Sequence, residues 1–137
     1  MRMAMKNAKL NSEDIDYINA HGTATVFNDA TEGKAISALF NGVPASSTKS
    51  MMGHSLGAAG AIEAVVCLLA LQNQFLPANI NFTAADDDTD LNIVANEARP
   101  AAVNMALSNS FGFGGTNASL IMRKFPPSPG PRWTGDA

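Results

Sequence analysis

The chain has 137 residues, enough for one domain with its own core, and a formal net charge of −3 with no lysine or arginine stripe, which removes nucleic acid from the expected partners. Charged residues make up 15%, against about a quarter in an average soluble domain, so part of the exterior is expected to lie against another domain or subunit. A single cysteine, Cys67, excludes an internal disulfide and, with an N-terminal run too polar for a secretory segment, points to a reducing cytoplasm.

Residues 1–10 are helix formers with no N-cap before them, so the chain is expected to start inside a helix, as a piece of a longer protein does. Asn11 to Asp14 supply a turn, and Ile15 to Ala20 alternate as a short strand that ends at His21. Asn28 or Asp29 is the expected cap of a helix running through Phe40, with Glu32 in its first turn and Asn41-Gly42 as its stop. Val43 to Thr48 form a second strand, and the intervening helix makes the pair a parallel βαβ unit, with Lys49 to His54 as the loop beyond it.

From Ser55 to about Gln72 the pattern is apolar on nearly every face, which predicts a helix enclosed by protein. Gly57, Gly60, Glu63 and Gln72-Asn73-Gln74 interrupt it before the roughly 20 apolar residues of a membrane span, so no membrane is expected. Pro77 ends this region, Asp86 to Asp90 form an exposed acidic turn, and Leu91 to Val94 are a brief strand. Ala102 to Ser108 and Ala118 to Met122 are strands joined antiparallel by the glycine-rich run Asn109 to Asn117. Residues 125–137 hold four of the seven prolines and are expected to be a disordered or non-native tail. The fold class is therefore α/β, a mixed sheet covered by helices.

Both histidines sit in turn-forming runs, His21-Gly22-Thr23-Ala24-Thr25 and Lys49-Ser50-Met51-Met52-Gly53-His54, each at the C-terminal end of an expected parallel strand, where α/β sheets place ligands. Glu63 lies within an apolar helix, and a carboxylate removed from water needs a cation; Lys49, just before that helix, is the candidate. Two distant histidines and one helical cysteine give no zinc set, and no metal is expected. Gly53-His54-Ser55-Leu56-Gly57 matches G-x-S-x-G, which would make Ser55 the nucleophile of a serine acyl hydrolase or transferase, but no histidine follows His54 and the preceding run is a poor strand. The FGFGG run lacks the spacing of a dinucleotide loop.

Together YINAHGTAT with Asn28-Asp29, SSTKSMMGHSLGAAGAIEA and LSNSFGFGGTNASLIM resemble three signatures of the β-ketoacyl-acyl carrier protein synthases, in the same order, from residue 1 to Lys124. The resemblance implies the C-terminal part of a thiolase-like fold and an elongating condensing enzyme of fatty-acid biosynthesis, an acyltransferase that joins malonyl-carrier to an acyl-enzyme thioester with loss of carbon dioxide. It implies acyl carrier protein as partner, its phosphopantetheine arm as the only carrier group with no further cofactor, a homodimer when complete, and a cysteine nucleophile in a missing N-terminal half; Cys67 does not match that motif. His21 and His54 resemble the pair that stabilises the developing enolate, with Lys49 beside them and Glu63 as its carboxylate. Thr23 and Thr25 resemble pantetheine-binding hydroxyls, Phe113 the gate whose N–H completes an oxyanion hole, flanked by Gly112 and Gly114, and Asp29 and Glu32 supporting acids. Any cation near Glu63, Asn19 or Asn109 would serve structure. Val26-Phe27-Asn28 stands where the family usually has Pro-x-Gly. A non-catalytic packing or carrier-binding fragment is the contrasting expectation; alone, this piece is expected to be inactive.

Overall fold

A computed structural model describes residues 1–84 and 90–125; the tail from 126 on and most of the acidic run lie outside the described residues. Alternation of side chains along the short central strands decides the layering. In β1 (Tyr17–Asn19), Tyr17 packs on one side of the sheet with Cys67, Ala70, Leu71 and Ala106, while Ile18 packs on the other with Met5, Ile36, Phe40 and Leu107. Helix α4 (Ala59–Asn73) thus covers one face, and α1 (Arg2–Ala8) with α2 (Val26–Ser37) covers the other.

The main sheet has five strands in the order β4-β2-β1-β6-β7, where β2 is Pro44–Ser46, β4 Asn92–Ile93, β6 Met105–Phe111 and β7 Asn117–Arg123. β1 runs parallel to both β2 and β6, β2 parallel to β4, and among the described residues of this sheet only the β6–β7 hairpin is antiparallel. This is the mixed sheet expected, including the βαβ unit through α2. β3 (Phe75–Leu76) and β5 (Arg99–Pro100) form a separate two-stranded ribbon.

Three expectations are corrected. Helix α2 begins at Val26, because Thr25, in an extended conformation, accepts the Asn28 N–H and caps the helix ahead of Asn28 and Asp29. The run after β2 is not an open loop: Lys49–Met52 form a helical turn, α3, stopped by Gly53 at φ 73°. Helix α4 is not enclosed by this chain, since only the stripe Ala59, Glu63, Cys67, Ala70, Leu71 turns to the sheet while Val65, Leu68 and Leu69 are exposed. With the turn Leu56–Ala58 before it, this segment has a mean hydropathy of 1.6 over 18 residues, the length and apolarity of a membrane span; its buried stripe packs along β6.

Candidate active site

Because β1 and β2 are parallel neighbours, their C-terminal ends deliver the His21 loop and α3 side by side. The His21 loop is held from behind by Glu32 of α2. Its carboxylate accepts the backbone N–H of His21 and of Gly22, each at 2.9 Å, and also Nδ2 of Asn109 at 3.0 Å and of Asn28 at 3.2 Å. Asn109 Oδ1 in turn accepts the Ser119 hydroxyl of β7 at 2.8 Å. Gly22 sits at φ 46°, and a Cβ there would lie 2.4 Å from Cβ of Ser47, so the two strand ends approach as closely as they do because this residue is glycine.

The buried Lys49 ammonium pairs with the buried Glu63 carboxylate, which Ser110 Oγ also approaches at 3.5 Å. Gly60 allows α4 this close to β6, since a Cβ at that position would be 3.0 Å from Ser110 Oγ. Lys49 Nζ also lies 3.4 Å from His21 Nδ1. An ammonium only donates, so Nδ1 of His21 accepts and its proton is on Nε2. His54 Nδ1 accepts the Leu56 N–H at 3.0 Å, which places its proton on Nε2 as well. Leu56 achieves this at φ 52°, a costly backbone for a leucine. The two rings stand 5.4 Å apart, edge to face at 84°. Burial first, and Lys49 second, hold the His21 imidazole below its ordinary 6.5, so it is neutral at neutral pH. With Nδ1 of each ring placed as an acceptor, each has an Nε2–H to give, and the two form a pair of hydrogen-bond donors.

Lys49 and the exposed His54 open onto a cavity of about 520 Å³, with Thr23, Asp29 and Glu32 in its wall and Phe82 on its apolar side. Thr23 Oγ1 and Thr25 Oγ1 are 2.9 Å apart, and Asp29 accepts from Asn28 Nδ2. Val26, Phe27 and Asn28 form the first turn of α2, Phe27 fully in the open and Asn28 folded onto Asp29 and Glu32.

Phe113 is not brought to the imidazoles. It is fully exposed in the β6–β7 loop between Gly112 and Gly114, and Phe111 is the ring beside His21, at 5.5 Å. For Ser55, the strand-to-helix elbow is absent: α3 precedes it, and the Nδ1 of its neighbour His54 already accepts the Leu56 N–H. Cys67 is buried in α4, and burial, then the charge of Glu63, push its thiol up to about 12. Residues missed in the sequence are Phe111, beside His21, and Ser47, Ser50 and Asn79, which line the cavity. Phe111, Ser47 and Ser50 were within reach, inside the quoted motifs; nothing local marks Asn79.

The model of the family described as "Beta-ketoacyl synthase, C-terminal domain" matches residues 1–83. The chain belongs to this family. It is 47% identical over 129 residues to 3-oxoacyl-(acyl-carrier-protein) synthase 2 of Rhizobium meliloti strain 1021, covering 91% of this chain and 30% of that protein. A beta-ketoacyl synthase of Burkholderia phymatum STM815 superposes with a TM-score of 0.88 at 38% identity, over 92% of this chain and 31% of its own. A ketosynthase solved with a type II PKS acyl-carrier protein has a TM-score of 0.86 at 37% identity, over 90% of this chain and 31% of its own. The fold is thus the thiolase-like one of ketosynthases, in part: the chain spans about a third of the length of the relatives it matches.

Proposed function

We propose that this chain supplies the decarboxylating side of the active site of a 3-oxoacyl-acyl carrier protein synthase, acting in the cytoplasm in fatty-acid biosynthesis. The observation that carries the proposal is the pair of imidazoles 5.4 Å apart, each with Nδ1 placed to accept and so left with Nε2–H to donate. Donated to the thioester oxygen of malonyl-carrier, the two N–H groups stabilise the enolate that forms when the carbon–carbon bond to the carboxylate breaks and carbon dioxide leaves. The enolate carbon then attacks an acyl thioester held on a cysteine, and the cysteine thiolate departs. That cysteine is not Cys67, whose thiol is protonated and buried, and it comes from the part of the protein outside this chain.

Lys49 keeps Nδ1 of His21 an acceptor, and Glu63 neutralises Lys49, so His21 keeps its donor on Nε2 without charge on its ring. Thr23, in the cavity wall, and Thr25 meet the pantetheine arm, while Glu32 keeps the His21 loop docked on α2 and Asp29 holds the Asn28 amide that also reaches Glu32. Phe113, exposed between two glycines, is free to swing toward the acyl-enzyme as a gate. The exposed apolar side of α4 is where the preceding half of the synthase packs, and the complete protein pairs as a homodimer with acyl carrier protein as its partner.

The test is malonyl-carrier decarboxylation by a full-length synthase containing this chain. His21→Ala and His54→Ala are each expected to lower kcat on the order of 10²- to 10³-fold, the cost of one such donor. Turnover unchanged in either variant rejects the assignment, and a wild-type chain silent in every reconstitution favours a non-catalytic fragment.

A further inference from the structure

Asn79 lies distant in sequence from both histidine loops, on the segment leading away from β3 that continues along the cavity wall to Phe82, yet it reaches the backbone between those loops. Its side-chain Oδ1 accepts the Ser47 N–H at 3.0 Å. The next residue, Ile80, gives its N–H to Ser50 Oγ at 3.0 Å, and that hydroxyl donates to Ser47 O at 2.9 Å. Ser47 then passes the connection across the strand ends, its own hydroxyl donating to Gly22 O at 3.0 Å. The result is a closed set of hydrogen bonds from the 79–80 segment, through both ends of the turn that starts α3, to the residue following His21. Lys49 lies inside this turn, and His54 follows the end of α3 at Gly53.

We propose that Asn79 is a positioning residue for the histidine pair, fixing through Ser47 and Ser50 the segment that carries Lys49 and His54 against the His21 loop. This rests on the reading of the two imidazoles as enolate donors. The main chain of Asn79 is secured independently of its side chain: its N–H goes to Val94 O at 2.7 Å, and its carbonyl accepts Asn96 N–H at 2.9 Å, within the parallel bridge to Ala95. The amide side chain is therefore not needed to fold its own segment. What it sets is the height of the buried Ser47 relative to Gly22, whose carbonyl accepts the Ser47 hydroxyl at 3.0 Å and whose missing Cβ leaves room for Ser47, since a Cβ there would lie 2.4 Å from Ser47 Cβ. A displacement near 1 Å at such a point is enough to cost about a hundredfold in rate when donors must meet a reacting oxygen.

The experiment compares Asn79→Ala, Asn79→Asp and Ser50→Ala with His54→Ala in the full-length synthase containing this chain, measuring malonyl-carrier decarboxylation and thermal midpoint. Asn79→Ala and Ser50→Ala are expected to lose about ten- to a hundredfold in kcat with KM within about twofold. Asn79→Asp, which keeps the acceptor for Ser47 N–H, is expected to recover kcat to within a few-fold. Asn79→Ala turning over like wild type while His54→Ala is inactive overturns the positioning role alone. Active His54→Ala overturns the functional reading, and this inference with it. A loss in Asn79→Ala that Asp does not rescue, or that tracks a collapsed midpoint shared by Ser50→Ala, makes Asn79 a stability residue and also overturns the proposal.

Discussion

Lys49 and Glu63 pair with side chains 6% and 2% exposed, and removal of either leaves a charge out of water with no counter-charge. In Glu63→Leu the ammonium faces only the acceptor Nδ1 of a neutral imidazole, and the expected loss is about 3–5 kcal/mol, the cost of breaking a buried pair from one side. For a chain of this length that corresponds to a fall in thermal midpoint of roughly 10–20 °C. Lys49→Met costs a similar amount by stranding the carboxylate, to which Ser110 offers one long hydrogen bond. The double variant Lys49→Met/Glu63→Leu removes both charges and is expected to lie within about 1–2 kcal/mol of wild type, since apolar replacement of a buried pair is often neutral. Urea unfolding followed by far-UV circular dichroism on the four proteins closes the cycle, with an expected coupling of about 3 kcal/mol or more. A coupling below about 1 kcal/mol, the size typical of exposed pairs, would show that water reaches these groups and that the ion pair is not what locks α3 to α4. Activity separates from stability when the same substitutions are carried by the full-length synthase containing this chain, because the double variant lacks the ammonium beside His21 and is expected to stay slow in decarboxylation.

The His21 pKa is held below 6.5, so as pH falls the unfolded chain takes up this proton before the folded one; the stability associated with neutral His21 is complete above pH 6.5 and is lost below it. His21→Gln should flatten that acid slope, and an unchanged slope in urea titrations across about pH 5–8 would place the ring in solvent. With its thiol pushed up to about 12, Cys67 is expected to react with iodoacetamide on the order of a hundredfold more slowly in the native chain than in denaturant; equal rates contradict its burial. Gly22→Ala forces both a left-handed alanine and a clash with Ser47, so it should destabilise by at least about 1–3 kcal/mol, whereas Gly42→Ala, with φ 69° but open space around it, should cost only the backbone part.

Much of the site was legible from chemistry alone. Glu63 in an apolar helix demanded a cation, and Lys49 was near enough in sequence to be named; the histidines were assigned to parallel strand ends, and those ends are adjacent. What the sequence concealed has two physical causes. Local propensity could not decide between Thr25 and Asn28 as a cap, since both are good acceptors and only the backbone angles of Thr25 separate them. Long-range hydrogen bonds leave no periodic trace, so Asn79, 32 residues from Ser47, looked like any loop asparagine. The apolarity of α4 was read correctly, but this chain alone buries only one stripe of it and presents Val65, Leu68 and Leu69 outward, which no local pattern distinguishes from full enclosure.

The line from Ser119 through Asn109 and Glu32 to the His21 backbone has an engineering consequence. It joins the last strand of the sheet to the loop after the first, so any crossover between homologues placed from residue 22 to residue 118 separates the His21 backbone from Ser119 at the far end of the line. Recombinants cut there inherit a histidine loop and a hairpin shaped for different partners, and junctions outside that interval are the ones that transfer the catalytic geometry whole.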